Sequence, residues 1–166
     1  MNPIKQVFAI IFMLLLIAPV AVYAAGSDSG GSSGGSSATS TDSRKIRADA
    51  KRTEAVKLIK AEQYAKASDL LKDAVKANPE DANAWNWLGY TYRKQHKYED
   101  AQKNYREALR LDPNHKGAHE YLGELYVEIG ELNKAEEMRD NLAKICNGSC
   151  EELNDLNEFI AKNKKN

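Results

Sequence analysis

Residues 82–115 read ANAWNWLGYTYRKQHKYEDAQKNYREALRLDPNH, and the spacing within them decides the fold. Trp85, Leu88, Gly89 and Tyr92 fall at i, i+3, i+4 and i+7, one apolar face of a helix. Tyr98, Ala101, Tyr105, Ala108 and Leu109 make a second such face. The polar run 94–97 separates them, so the spacing predicts two short helices packed antiparallel. Gly89 and Ala101 are small enough to let the two axes approach, and the rings fill the space on either side.

The pattern returns with a fixed period. Pro79 and Pro113 stand 34 residues apart, as do Tyr64 and Tyr98. Ala67, Ala101 and Ala135 keep the same step, and so do Ala55, Gly89 and Gly123, and Leu58, Tyr92 and Tyr126. One helical hairpin leaves its apolar face uncovered, so copies of this length stack into a solenoid.

Trp85, Leu88, Gly89, Tyr92, Tyr98, Ala101, Tyr105, Ala108 and Pro113 together resemble the signature of a tetratricopeptide repeat. The resemblance covers roughly residues 48–149. It implies an all-α, right-handed solenoid of three hairpins, at about 48–81, 82–115 and 116–149. The chain departs from the pattern in places. His96 stands where the family most often has Gly, and Lys51 and Glu54 replace the Trp and Leu in the first copy. Arg139, Leu142 and Asn147 depart in the third, so its second helix is expected to pack differently.

Outward from the repeats, residues 1–24 read as a signal peptide. Lys5 precedes a 12-residue apolar run, 7–18, and Ala24 offers a cleavage site. The run is short of the about 20 residues needed to span a bilayer, so cleavage is preferred over an uncleaved anchor. The expectation is a periplasmic protein of a Gram-negative bacterium, touching the membrane only if the segment is retained. Residues 25–41 are a Gly/Ser-rich flexible linker, too polar to offset the entropy of ordering. Residues 42–166 form the repeat domain, with Asp42 or Ser43 expected to cap a first helix that draws on Ile46, Ala50, Val56, Leu58 and Ile59. Further helices are expected at 64–77, 82–95, 98–111, 116–129 and 132–145. A last one, 150–163, carries Leu153, Leu156, Phe159 and Ile160. It reads as a lid on the third repeat, because solenoid ends need a polar outer face; the rival is a dimerisation helix.

Lys+Arg 24 balances Asp+Glu 24. A nucleic-acid binder normally shows a clear basic excess, so that class is set aside. No carboxylate pair, Ser/His/Asp set or phosphate loop stands out, and the chain is read as a non-enzyme without cofactor or metal. His115 and His119 have a metal-capable i, i+4 spacing, but His119 takes the position of Trp85, a packing position. Cys146 and Cys150 are the only cysteines. In an exported chain an even count predicts a structural disulfide; a thiol-disulfide or metal-handling role is the alternative.

In tetratricopeptide arrays the first helix of each hairpin lines a concave groove. Through that resemblance the candidate peptide-binding residues are Arg52 from the first copy, Asn83, Asn86, Tyr90, Arg93 and Lys94 from the second, and Glu120, Glu124 and Glu128 from the third. The groove is then basic at its start and acidic at its end; the bland alternative is an ordinary solvated face. Trp87 and Tyr90 lie away from the partner hairpin. The resemblance implies a protein or peptide partner for a scaffold in envelope assembly, and the expectation is a monomer. Residues known to clamp chaperone tails in some relatives are missing here, with Val56, Trp87, Gly117 and Tyr121 in their places. The third possibility is a self-assembling structural protein using the last helix.

Overall fold

The computed structural model describes residues 36–164. Among them the chain forms seven helices and no strand: α1 (Ser36–Lys60), α2 (Tyr64–Ala77), α3 (Ala82–Lys94), α4 (Tyr98–Leu111), α5 (Lys116–Glu128), α6 (Leu132–Ile145) and α7 (Glu151–Asn163). The expected signal peptide and residues 25–35 of the expected linker lie outside the described residues. None of the described helices is long and apolar enough to cross a membrane.

The fold is an α-solenoid of three hairpins, α1–α2, α3–α4 and α5–α6, closed by α7. The hairpin turns obey the repeat. Glu62, His96 and Gly130, 34 residues apart, all have positive φ, at 57°, 58° and 80°. Each ends a first helix in the left-handed region, where Gly costs least. The helix starts obey it too. Asp81 Oδ1 accepts the Ala84 amide hydrogen at 3.2 Å, and 34 residues later His115 Nδ1 accepts that of Ala118 at 3.1 Å. Trp85 Nε1 donates to the Pro79 carbonyl at 2.8 Å, and His119 Nε2 donates to the Pro113 carbonyl at 2.9 Å. His119 therefore does the work of a Trp that staples a helix to the preceding proline turn.

Two readings of the first helix need correction. α1 begins at Ser36, so Asp42 and Ser43 lie inside it rather than at its cap, and the last six residues of the Gly/Ser tract are helical. Adding a residue to an existing helix gains one hydrogen bond for one pair of dihedrals fixed, which is far easier than nucleation. Ile46 is 69% exposed and Ala50 is exposed, because they lie on the face of α1 that no other helix covers; the core side of α1 is Ala48, Ala55 and Ile59.

Curvature follows from which helices touch. The first helices contact one another, α1 with α3, α3 with α5 and α5 with α7, whereas α2, α4 and α6 do not. A stack set closer on one side curves with that side inward.

α7 continues the period. Leu153, Leu156 and Ile160 are buried at the steps that follow Trp85, Leu88 and Tyr92 through His119, Leu122 and Tyr126. α7 thus takes the place of the first helix of a fourth hairpin. Its outer face is polar, with Asn154, Asn157 and Glu158 exposed. It also solves the packing problem left by Arg139. A Cβ on Gly89 would stand 2.7 Å from Tyr105 Cδ1, so that ring fills the notch in the second repeat. In the third repeat Arg139 pairs with its neighbour Asp140, and the notch at Gly123 is filled by Leu156, whose Cδ2 would lie 2.7 Å from an added Cβ. Three of the four apolar residues of the α7 stripe are thereby consumed within the chain and Phe159 is half-buried, which takes away the apolar face a dimerisation helix would need.

The turn between α6 and α7 places Cys146 and Cys150 with Cα atoms 5.7 Å apart, a separation a disulfide spans. Asn147 and Gly148, at φ 49° and 93°, make the reversal.

Candidate functional site

All nine candidate groove residues lie on first helices: Arg52 on α1, Asn83, Asn86, Tyr90, Arg93 and Lys94 on α3, Glu120, Glu124 and Glu128 on α5. The structure divides them into two groups that the sequence did not distinguish.

The first group is tied up internally. Arg93 is 4% exposed. Its guanidinium pairs with Glu124 and, at 2.8 Å, with Glu128, and it lies 5.6 Å and 5.9 Å from the ring centroids of Tyr90 and Tyr121. Burial opposes its charge, but Tyr105, Glu124 and Glu128 outweigh that and raise its pKa. Arg93 is therefore a buried strut between α3 and α5. Arg52 pairs with Asp81 and, at 3.1 Å, with Asp49. The expected basic start of the groove is corrected accordingly, since both arginines are neutralised by partners from neighbouring turns or helices. Only tertiary packing brings Asp81, Glu124 and Glu128 close, so the spacing of the sequence did not reveal them; Asp49, three residues before Arg52 on α1, is the one local partner. Lys94 remains exposed, its Nζ 5.5 Å from the Tyr90 ring.

The second group surrounds a cavity of about 330 Å³ between α3, α5 and the first turns of α7. Asn83, Asn86 and Glu120 line it. The sequence reading omitted the rest of the wall: Trp87, His115, Tyr121, Glu152 and Asp155. Tyr121 packs tilted against Tyr90 at 5.1 Å and Trp87 at 6.1 Å, extending an aromatic wall that starts at Tyr64. Asp155 and Glu151, which also lines the wall, stand one 34-residue step after Tyr121 and Gly117, so the repeat carried into α7 was their signal; Glu152 had none.

His115 supplies two bonds at the rim. Because its Nδ1 accepts from Ala118, its Nε2 carries the hydrogen and donates to Asn83 Oδ1 at 3.2 Å. Burial pushes its pKa below the ordinary imidazole value, so the neutral ring is the capping form. Glu120 is 7% exposed and has no hydrogen bond or ion pair to any described residue. Burial, then Glu124, Asp155 and Glu152, push its pKa up to about 8. Asn86 is 3% exposed, and its Oδ1 is buried without a hydrogen-bond partner. Gly117 keeps the floor open beside it: an added Cβ would stand 3.3 Å from Asn86 Nδ2. Glu120 also borders a second hollow with Glu124, Asp155, Glu158, Phe159 and Lys162, so the acidic track runs on along α5 and α7.

Near the α6–α7 turn the two cysteine sulfurs and a Glu152 carboxylate oxygen lie within 4.8 Å of one another, the one group of three such ligand atoms among the described residues.

With this geometry in place, the class of protein is defined by its repeats. Tetratricopeptide-repeat family profiles match residues 52–96, 82–115 and 104–137. The chain is a tetratricopeptide-repeat protein. Among particular relatives, it is 34% identical over 83 residues to the uncharacterized protein ycf37 of Pyropia yezoensis, covering 50% of this chain and 46% of that one. The chain thus spans about half the length of that curated relative. Among solved structures, it resembles the TPR2B domain of yeast Sti1 in complex with pHsp70, with TM-score 0.65, 20% identity, and coverage of 72% of this chain and 98% of that one. The second TPR domain of human RPAP3, solved with the HSP70 peptide SGPTIEEVD, gives TM-score 0.62, 20% identity and 72% and 97% coverage. The Arabidopsis OM64 TPR domain gives TM-score 0.65, 13% identity and 72% and 98% coverage. At these identities the likeness is one of fold.

Proposed function

We propose that this protein is a non-catalytic scaffold that holds a segment of another protein along the inner face of α3, α5 and α7. The observation that carries the reading is the cavity there. Its wall combines half-buried rings, Trp87 and Tyr121, with the Asn86 side chain, whose Oδ1 is buried without a hydrogen-bond partner, and with Glu120, which is 7% exposed. A stack needing only to hold itself together would have closed that space with apolar side chains. Solved relatives of the same fold are complexes with peptides of HSP70, which supports a peptide as the occupant. The reading extends to location: the apolar segment 7–18 and Ala24 support export to a bacterial periplasm, where the pair Cys146 and Cys150 is oxidised and pins α7 to α6.

The test is capture of partners from envelope extract by the wild-type chain and by Trp87→Ala/Asn83→Ala, a variant that spares the buried Arg93 strut. A partner held by the wild type and lost by the variant is the expected result. Equal recovery by both refutes the groove as the binding site. N-terminal sequencing of the mature protein is expected to begin at Ala25, and thiol titration without reductant is expected to find no free thiol.

A further inference from the structure

We propose that the cavity between α3, α5 and α7 is a subsite for a cationic side chain, an arginine or lysine carried by the bound segment. This rests on the reading of the inner face as the binding face, and it names the chemistry of the partner.

The lining is one-sided. Glu120, Glu151, Glu152 and Asp155 contribute carboxylates, Asn86 lines the floor with its Oδ1 buried and without a hydrogen-bond partner, and no Lys or Arg lines the space. An ammonium or guanidinium group supplies only donors and needs only acceptors. Glu120, which is 7% exposed and has no cation of its own among the described residues, gives up its proton as the cation enters and meets it as a carboxylate.

The aromatic wall points the same way. The faces of Tyr90 and Tyr121 are already used by Arg93, whereas no Lys or Arg of the described residues sits over Trp87. Trp gives the strongest attraction for a cation placed over its face. The cavity, about 330 Å³, has room for a side-chain head group and part of its stem.

Two other occupants fit less well. A single metal ion needs its ligand atoms close together, and no three of His115, Glu120, Glu152 and Asp155 bring theirs within 4.8 Å of one another. An acidic peptide of the EEVD kind seen in the human RPAP3 complex would set carboxylates against carboxylates, at a cost that grows as water is excluded.

The test uses the purified chain and two probes, the peptide acetyl-Ala-Ala-Arg-Ala-Ala-amide and the same peptide with citrulline in place of Arg. Citrulline keeps the shape and removes the charge. The readout is the NMR shift of the Trp87 indole N–H and the Asn86 side-chain amide. The arginine peptide is expected to move both signals and to bind about tenfold or more tightly than the citrulline peptide, the scale of a charge-assisted contact. Glu120→Gln/Asp155→Asn is expected to erase that difference while leaving the rest of the spectrum native. Equal affinity for the two peptides overturns the cation subsite but leaves the groove as a peptide site. Failure of both peptides to shift either signal overturns the subsite, and partner capture then judges the groove alone. Shifts confined to carboxylates outside the cavity also overturn it.

Discussion

Replacing Gly123 by Ala is the sharpest test of how α7 seals the stack. The new methyl would stand 2.7 Å and 2.8 Å from the two terminal carbons of Leu156. Carbon atoms rest about 3.5–4.0 Å apart, so both contacts overlap by close to an ångström. Leu156 is fully buried and has no free space to enter. Overpacking of this kind costs about 1–3 kcal/mol. Ala in a helix interior returns about 1 kcal/mol relative to Gly, so Gly123→Ala is expected to destabilise by about 0–2 kcal/mol. Leu156→Ala alone opens a cavity and costs about 2–5 kcal/mol. In that background the methyl at 123 meets only Met138 Cβ, at 3.3 Å, a contact a small shift relieves. Gly123→Ala should then change sign and stabilise by about 0.5–1 kcal/mol, giving a coupling of about 2 kcal/mol between the two positions. Urea unfolding followed by far-ultraviolet circular dichroism measures all four corners of the cycle. If Gly123→Ala costs the same in both backgrounds, Leu156 is not what fills the notch, and the account of α7 fails.

Other outcomes follow from the same structure. Arg93→Met should cost about 3 kcal/mol, because Glu124 and Glu128 lose their shared partner in a buried setting; adding Glu124→Gln and Glu128→Gln should recover much of that loss in the same unfolding assay. Glu62→Gly should stabilise by about 0.5–1 kcal/mol, since a non-Gly residue held at positive φ is strained and Glu62 makes no side-chain contact that Gly would forfeit. Glu120 gives a pH signature. Its folded pKa is raised to about 8 from 4.5, so the unfolded chain releases the proton first and stability falls as pH rises from 4.5 towards 8. Glu120→Gln should therefore raise the melting temperature at pH 8, by a stability gain of order 2 kcal/mol after allowance for the open side of the cavity, and change it little at pH 4. A variant that melts below the wild type at pH 8 would show that Glu120 has a partner the geometry does not reveal.

Helix placement was legible in the chain to the residue for α2, α4 and α6. Each starts after a tight turn and ends at a polar or cysteine stop, signals that act locally. The beginning of α1 was not legible, because Ser and Thr are good cap-formers and mediocre helix residues at once, and an established helix decides between them. The groove was legible in position but not in charge. Arg52 and Arg93 look like free cations in one dimension; their partners Asp81, Glu124 and Glu128 arrive only when neighbouring helices pack. Tyr121 repeats Trp87 at the 34-residue step, and both line the cavity, whose wall at the next step is the short side chain of Asp155. The role of α7 was half visible. Leu153, Leu156 and Ile160 keep the 34-residue step, but the change from rings to aliphatics hid it.

The half-repeat at the end of the array also governs what happens if the chain is cut short. Shorn of everything past Ser149, the molecule would lay bare Leu122, Gly123, Leu125 and Tyr126, surfaces shaped to receive another hairpin. Those surfaces would seek the first helix of any passing copy, and truncated chains would join end over end. Asn154, Asn157 and Glu158 stand on the far side of the helix that prevents this. A single added helix thus separates a discrete particle from a growing filament.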